Sequence, residues 1–189
     1  MAIIKKLLIV TALISLFNIN AYSNYYVGGG ANYLLPSGDF SEINKSALGF
    51  NIQIESRAYC NWWFGFRIDH YNLDPVDDIA IGTDYYEEAF VFAPGLRYNF
   101  LGSDCKEYNF VPYGQLQIPF SSITNTDESG KFGIGAIAGA GLAYSFRVFD
   151  LCWMIDGNAR YAFPNIILKD DTRDNIRYLD LSLSLTLRL

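Results

Sequence analysis

The sequence has little charge, a single histidine, three cysteines and no apolar run long enough to cross a membrane as a helix. Only 18% of its 189 residues are charged, whereas 51% are hydrophobic and 16% aromatic, so neither a disordered chain nor a coiled coil fits. The formal net charge of −6 disfavours binding to nucleic-acid phosphates, and we expect no nucleic-acid partner. A transmembrane helix needs about 20 apolar residues, and the longest run, 7–17, is shorter. The lack of a sufficiently long apolar run excludes a helical membrane protein.

The N-terminal segment predicts an export signal. Lys5 and Lys6 precede the apolar run, and the segment 21–23 supplies the small residues that a signal peptidase requires at the −3 and −1 positions. We therefore divide the chain into a signal peptide, 1–23, and one mature domain, 24–189.

The C-terminal segment alternates strictly between apolar and polar residues. From Ile176 it reads IRYLDLSLSLTLRL, with leucine at every odd position from Leu179 to Leu189. Alternation of this kind predicts a β-strand, because successive strand residues point to opposite faces. Seven further segments show the pattern more weakly, and each is long enough for a tilted transmembrane strand, which needs about 9 to 11 residues. These segments are 25–35, 47–59, 63–71, 89–99, 108–118, 133–145 and 152–162.

The connections between the predicted strands alternate between long and short. The long ones are 36–46, 72–88, 119–132 and 163–175, and the short ones are 60–62, 100–107 and 146–151. Long loops at one end and short turns at the other are typical of outer-membrane barrels, for which eight is the smallest strand number. We predict an all-β fold, an eight-stranded antiparallel up-and-down transmembrane β-barrel preceded by the signal peptide.

One face of most predicted strands carries charged residues. They are Glu55, Arg57, Arg67, Asp69, Arg97, Asp156, Arg160, Asp180 and Arg188. This face has no lysine, whereas a face in water would carry many lysines and glutamates. We therefore predict that the nine residues form a network of paired ions inside the barrel, where the fixed donor geometry of arginine is favoured. A soluble lipocalin-like lipid carrier in the periplasm has a similar length and strand number and remains an alternative.

Two pairings follow from the positions of the short turns. A three-residue turn at 60–62 would place Glu55 opposite Arg67, which predicts a buried ion pair. All three cysteines lie at or beside short turns, in a compartment that permits disulfides. Cys60 and Cys105 lie in neighbouring turns, so we favour a disulfide between these two residues over a disulfide of either one with Cys152.

The chain resembles the eight-stranded outer-membrane barrel family of the OmpA, OmpX and opacity-protein type. The features that carry this resemblance are the signal peptide, the eight strands, PGLRYNF at 94–100, VPYG at 111–114 and the alternating C-terminus. The resemblance covers the whole mature chain. It implies a bacterial outer-membrane location, insertion by the barrel-assembly machinery, and roles such as adhesion or assembly support. The aromatic residue that usually ends family members is replaced here by Leu189.

Candidate catalytic residues are few. The only histidine, His70, is expected to face lipid near the outer end of its strand. Outer-membrane enzymes that modify lipid A use a histidine with a serine or an acid, and the sequence places no such partner evidently beside His70. No cluster of cysteine and histidine residues has the spacing of a zinc site, so we expect no metal. We also expect no catalytic residue and no cofactor. Our leading hypothesis is a non-enzymatic barrel that serves envelope integrity or surface contact, and a lipid A-modifying enzyme is the other alternative.

The four long loops contain many more acidic than basic residues, so they could meet an extracellular ligand. Arg177 has lipid-facing parity at the outer end of the last strand, where its guanidinium could contact a lipid phosphate. We therefore expect outer-membrane lipid as a partner of a monomeric barrel.

Overall fold

The structure is a computed structural model. It describes residues 25–77, 85–101, 109–125, 130–167 and 176–189, and the predicted signal peptide lies outside them. The strands are β1 Tyr25–Ser37, β2 Ala47–Tyr59, β3 Trp62–Asn72, β4 Tyr86–Asn99, β5 Asn109–Gln117, β6 Phe120–Asn125, β7 Gly130–Val148, β8 Leu151–Ile167 and β9 Arg177–Arg188, and a short helix, α1, spans Phe40–Ile43. Within the described ranges, no helix has the length and apolar character needed to span a membrane.

The strands close into a ring in which every neighbour is antiparallel. β1 pairs with β2 on one side and with β9 on the other, which joins the first strand to the last. β5 and β6 are successive parts of one wall strand, because both pair with β4 on one side and with β7 on the other. The wall therefore consists of eight strands, and the predicted eight-stranded barrel is confirmed.

The fifth wall strand is longer than predicted. We expected it to end at Ile118 and to be followed by a loop over 119–132, but β6 continues the wall beyond that point. Pro119 has no N–H to donate, which interrupts the ladder. The chain nevertheless stays in the sheet, because the Ile118 N–H donates to the Pro94 carbonyl at 2.9 Å. The prediction of a loop was therefore wrong for the residues of β6.

The turn between β2 and β3 is tighter than predicted. It contains two residues, Cys60 and Asn61, and a β-bulge precedes it. The register is therefore shifted, and Glu55 lies opposite Gly65 while Arg67 lies opposite a glutamine. The predicted pairing of Glu55 with Arg67 was wrong, because it assumed three turn residues and an unbroken ladder.

The outer surface of the wall is a belt of exposed apolar side chains. It includes Leu48, Phe50, Ile52, Phe64, Phe90, Leu96, Phe110, Leu116, Leu142, Ile155, Leu181, Leu183 and Leu185. Exposed apolar surface on this scale leads to aggregation in water and suits the hydrocarbon of a bilayer. A soluble lipocalin-like barrel would need the opposite arrangement, with the apolar face enclosed. The inside-out distribution therefore identifies a membrane barrel.

The interior has three layers. An apolar cluster closes the loop end around Leu34, Tyr71 and Tyr178, and a second one closes the turn end around Trp63 and Met154. Buried charged residues lie between the two clusters. The barrel is therefore a packed cylinder, as expected of eight strands, whose interior is just wide enough for side chains.

The cysteine pairing differs from the prediction. Cys60 is an exposed free thiol in the turn, so the predicted disulfide with Cys105 is wrong. Cys152 is disulfide-bonded and buried in the turn-end apolar cluster, with its sulfur 3.8 Å from the hydroxyl of Tyr26. Cys105 lies outside the described residues.

Candidate functional site

Four buried charged residues meet near the middle of the barrel, and we call them the central cluster. Arg67 Nε lies 2.6 Å from Asp69 Oδ1, and Arg160 Nη2 lies 3.0 Å from Asp69 Oδ2. Arg160 Nε also donates to Asp180 Oδ2 at 2.8 Å. Two guanidinium groups therefore balance two carboxylates in a site from which solvent is almost excluded, so the cluster is neutral.

Polar neighbours satisfy the remaining donors and acceptors of the central cluster. Asn32 Nδ2 donates to Asp69 at 2.7 Å, and its Oδ1 accepts from Arg67 Nη2 at the same distance. The hydroxyl of Tyr71 donates to Asp180 at 2.8 Å. Each buried charge thus has hydrogen bonds in addition to its ion pair, which is the condition for a buried ion to be tolerated.

A second group of ions, the turn-side cluster, lies closer to the short turns. Arg97 Nη1 contacts Glu55 Oε2 at 3.0 Å and Asp156 Oδ2 at 2.9 Å. The guanidinium carbon lies 3.6 Å from the ring centroid of Tyr113, whose hydroxyl donates to Asp156. One arginine thus holds two carboxylates and stacks on an aromatic ring, which lysine could not do in the same geometry.

A polar chain joins the two clusters. Arg67 Nη1 donates to Ser182 Oγ at 3.1 Å, and Ser182 donates to Asn158 Oδ1 at 2.8 Å. Asn158 Nδ2 then donates to Asp156 Oδ1, also at 2.8 Å. The described interior is therefore one connected network rather than separate pairs.

Two glycines make room for this network. A Cβ at Gly139 would lie 2.8 Å from Cγ of Arg160, and a Cβ at Gly141 would lie 2.4 Å from the hydroxyl oxygen of Tyr113. Real Cβ atoms do not approach other atoms so closely. At Gly139 the backbone carbonyl oxygen of Ala159 would also lie only 2.7 Å away, so a side chain there would require the neighbouring strand to move.

The structure brings seven of the nine predicted interior ions into the two clusters and places the other two at the turn end. Arg57 Nε donates to the carbonyl of Cys60 at 2.6 Å, so it contacts the turn. Arg188 lies at the end of β9, opposite Tyr26 in β1. Tyr71, Tyr113 and Trp63 were not predicted as interior residues, although each shares the inward parity of its strand.

A small cavity of about 10 Å³ lies beside the turn-side cluster, and its volume leaves room for no more than one water. Gln53, Glu55, Trp63 and Gln115 contribute to its wall. Within the part of the chain that the structure describes, Nε2 of both glutamines and Nε1 of Trp63 are buried without a hydrogen-bond acceptor. The cavity is too small for an organic substrate. The described residues also include no group of three or more metal-ligating side chains.

His70 faces outward near the loop end and has an acidic partner that the sequence analysis missed. Its Nε2 lies 2.7 Å from Glu88 Oε1, and its ring stacks on Phe50 with 5.0 Å between ring centroids. The predicted boundaries place Glu88 in a loop, but β4 begins earlier, so Glu88 lies in the strand that pairs with the strand of His70. The pair is a base and an acid in contact, which alone cannot perform nucleophilic catalysis.

Residues 38–46 and 73–77 form a defined surface at the loop end, which we call the loop platform. Asn44 is buried and donates from Nδ2 to the Tyr86 carbonyl at 2.7 Å. The Lys45 N–H donates to the Asp74 carbonyl at 2.9 Å, and the Lys45 side chain pairs with Asp77. The exposed acidic residues of the loop platform are Asp39, Glu42, Asp74 and Asp77. The two segments are thus held together, and their exposed face is acidic.

Comparisons with known proteins agree with this geometry at the level of fold. The sequence matches no protein-family model and no curated protein. Among solved structures, Neisserial surface protein A (NspA) is 16% identical, with a TM-score of 0.57 over 87% of this chain and 97% of that one. The chain folds as an outer-membrane β-barrel. A major outer membrane protein from Thermus thermophilus is 14% identical, with a TM-score of 0.51 over 89% of this chain and 100% of that one. At these identities the likeness is one of fold, and the fold predicted from the alternating strands is confirmed.

Proposed function

We propose that the protein is a non-enzymatic barrel of the bacterial outer membrane that presents its loop platform at the cell surface, for surface contact or envelope integrity. The observation that carries this proposal is the closed interior. Ion clusters and two apolar layers fill the barrel, so the lumen that the described residues enclose offers neither an open pathway nor a substrate pocket. The loop end is then the part of the molecule that remains available for a function outside the membrane.

The loop platform has the properties of a recognition surface. Its backbone is fixed by hydrogen bonds between its two segments, so little conformational entropy would be lost on binding. Its acidic side chains favour a ligand with positive charge. In this proposal the partners are outer-membrane lipid, the barrel-assembly machinery and an extracellular cationic ligand, and the barrel acts as a monomer.

We expect a variant in which Asp39, Glu42 and Asp74 become Asn, Gln and Asn to lose surface contact while the barrel stays folded. These side chains are exposed, and the Lys45–Asp77 pair is left intact. The measurement compares adhesion of cells to cationic surfaces, and their resistance to detergent, between the native protein, this variant and a strain that lacks the protein.

The matched control is Asp150→Asn, which removes an exposed acid in the turn at the opposite end. Loss of adhesion in the loop variant alone would support surface contact. Loss of detergent resistance only in the strain that lacks the protein would support envelope integrity. The proposal fails if that strain matches the native one in both measurements.

A second candidate function is modification of lipid A, which the His70–Glu88 pair favours because a histidine held by a carboxylate is a common general base. Under our leading proposal, His70→Ala leaves the mass spectrum of lipid A unchanged, and Glu88→Gln does the same. The two variants are compared with the strain that lacks the protein. A lipid A species that disappears in all three strains would establish the enzyme and refute the non-enzymatic proposal.

A further inference from the structure

The outward face of β9 changes character at its loop end. Leucine occupies this face at alternate positions from Leu179 to Leu189, and Arg177 takes the next position toward the loops. A charge in the hydrocarbon centre of a bilayer is costly, whereas at the headgroup level the cost is small. Arg177 therefore marks the depth at which the wall passes from hydrocarbon to lipid headgroups.

Neighbouring strands place hydroxyl groups and an aromatic ring beside Arg177. Ser37 of β1 is its direct partner in the sheet. The Ser37 hydroxyl lies 3.2 Å from that of Tyr161 in β8, so the two hydroxyls meet across the outer face of β9. The guanidinium carbon of Arg177 lies 5.7 Å from the ring centroid of Phe163, which orients the cation against the wall. One cation and two hydroxyls thus share a patch of the lipid-facing surface.

Arg177 differs from the interior arginines in its partners. Each arginine of the two ion clusters pairs with at least one carboxylate. Among residues 25–77, 85–101, 109–125, 130–167 and 176–189, no carboxylate pairs with Arg177, and its guanidinium group lies against the ring of Phe163. Its guanidinium donors are therefore directed to the surroundings of the barrel rather than to the described part of the chain.

We propose that Arg177, Ser37 and Tyr161 form a binding site for the phosphate of a lipid headgroup in the outer leaflet. A guanidinium binds a phosphate through two parallel charge-assisted hydrogen bonds, and the hydroxyls supply further donors. The leucine column of β9 continues below the site, where the acyl chains of the same lipid would lie. The site also offsets the repulsion between the acidic loop platform and an anionic leaflet. This inference rests on the proposed function, because it requires the loop end to face outward.

The test uses the mature chain folded into phosphatidylcholine vesicles with or without bisphosphorylated lipid A. Lipid retained by the protein is counted by native mass spectrometry, and unfolding is followed by heating. We expect lipid A to raise the unfolding temperature of the native protein, and Arg177→Leu to reduce lipid A retention about tenfold without lowering stability in phosphatidylcholine alone. Arg177→Lys keeps the charge but loses the planar fork, so it should restore part of the retention. Arg147→Leu, an exposed arginine at the turn end, is the matched control.

Two further arms identify the ligand. Dephosphorylated lipid A should bind the native protein and Arg177→Leu equally weakly if phosphate is the recognised group. Inorganic phosphate should not reproduce the thermal shift, and if it does so fully, the ligand is a free anion and the lipid proposal is overturned. Undiminished retention of lipid A by a folded Arg177→Leu variant, or by the triple variant Ser37→Ala, Tyr161→Phe and Arg177→Leu, would also overturn it. Neither result bears on the membrane-barrel fold, which would be contradicted if the native chain did not fold in vesicles.

Discussion

Leu183→Arg is expected to lower the free energy of unfolding in a phospholipid bilayer by about 2 to 4 kcal/mol. Leu183 lies near the middle of β9 and points out of the barrel, with 62% of its surface exposed. An arginine side chain there would have to leave water for hydrocarbon. It would also point away from the buried carboxylates of the interior, so it would have no ion pair with them. The measurement is equilibrium unfolding in urea, followed by tryptophan fluorescence in vesicles.

Leu189→Arg is the matched control, because it makes the same substitution on the same face at the end of the chain. Leu189 is also well exposed, at 71%, but it lies at the level of the short turns. The cost should fall to about 0 to 1 kcal/mol there, since an arginine near the interface reaches water and headgroups. Ser184→Arg is unsuitable as a control, because Ser184 is buried and donates to Asn51. Equal effects at the two leucines would mean that the belt does not face hydrocarbon.

The wall of the barrel could be predicted from the sequence because lipid and the polar interior impose a period of two on every strand. In β2, for example, Phe50 and Ile52 face outward while Asn51 and Gln53 face inward, as the alternation predicts. This pattern is a local property of each strand, so it can be recognised without knowing which strands are neighbours. The eight-stranded topology then follows from the alternation of long and short connections.

Contacts between strands could not be predicted in the same way, because they depend on register. A single bulge before the turn at Cys60 moved Arg67 away from Glu55, and Arg97 of β4 pairs with Glu55 instead. The contact between His70 and Glu88 was missed for a related reason, because the start of β4 was placed too late. The register differs from the predicted one by two residues, which leaves the face of each side chain unchanged but alters every cross-strand pair.

Arg160→Met is expected to destabilise the barrel by about 3 to 5 kcal/mol, because it removes one partner from a buried ion cluster. Arg160 contacts both Asp69 and Asp180, so its loss leaves two buried carboxylates to share Arg67. The interior would then hold one unbalanced negative charge in a site with almost no solvent. Such a charge costs far more than the loss of a surface ion pair, which is worth about 0 to 1 kcal/mol. The same urea titration in vesicles measures the effect, and Arg147→Met at the exposed turn end should change stability by less than about 1 kcal/mol.

The double variant Arg160→Met with Asp180→Leu separates the loss of charge balance from the loss of packing. It removes one cation and one anion, and it leaves Arg67 paired with Asp69 at 2.6 Å. Replacing a buried ion pair by apolar residues of similar size is often neutral, so the double variant should be more stable than Arg160→Met alone. A cost equal to the sum of the two single substitutions would show that Arg160 and Asp180 do not interact, which would contradict the central cluster.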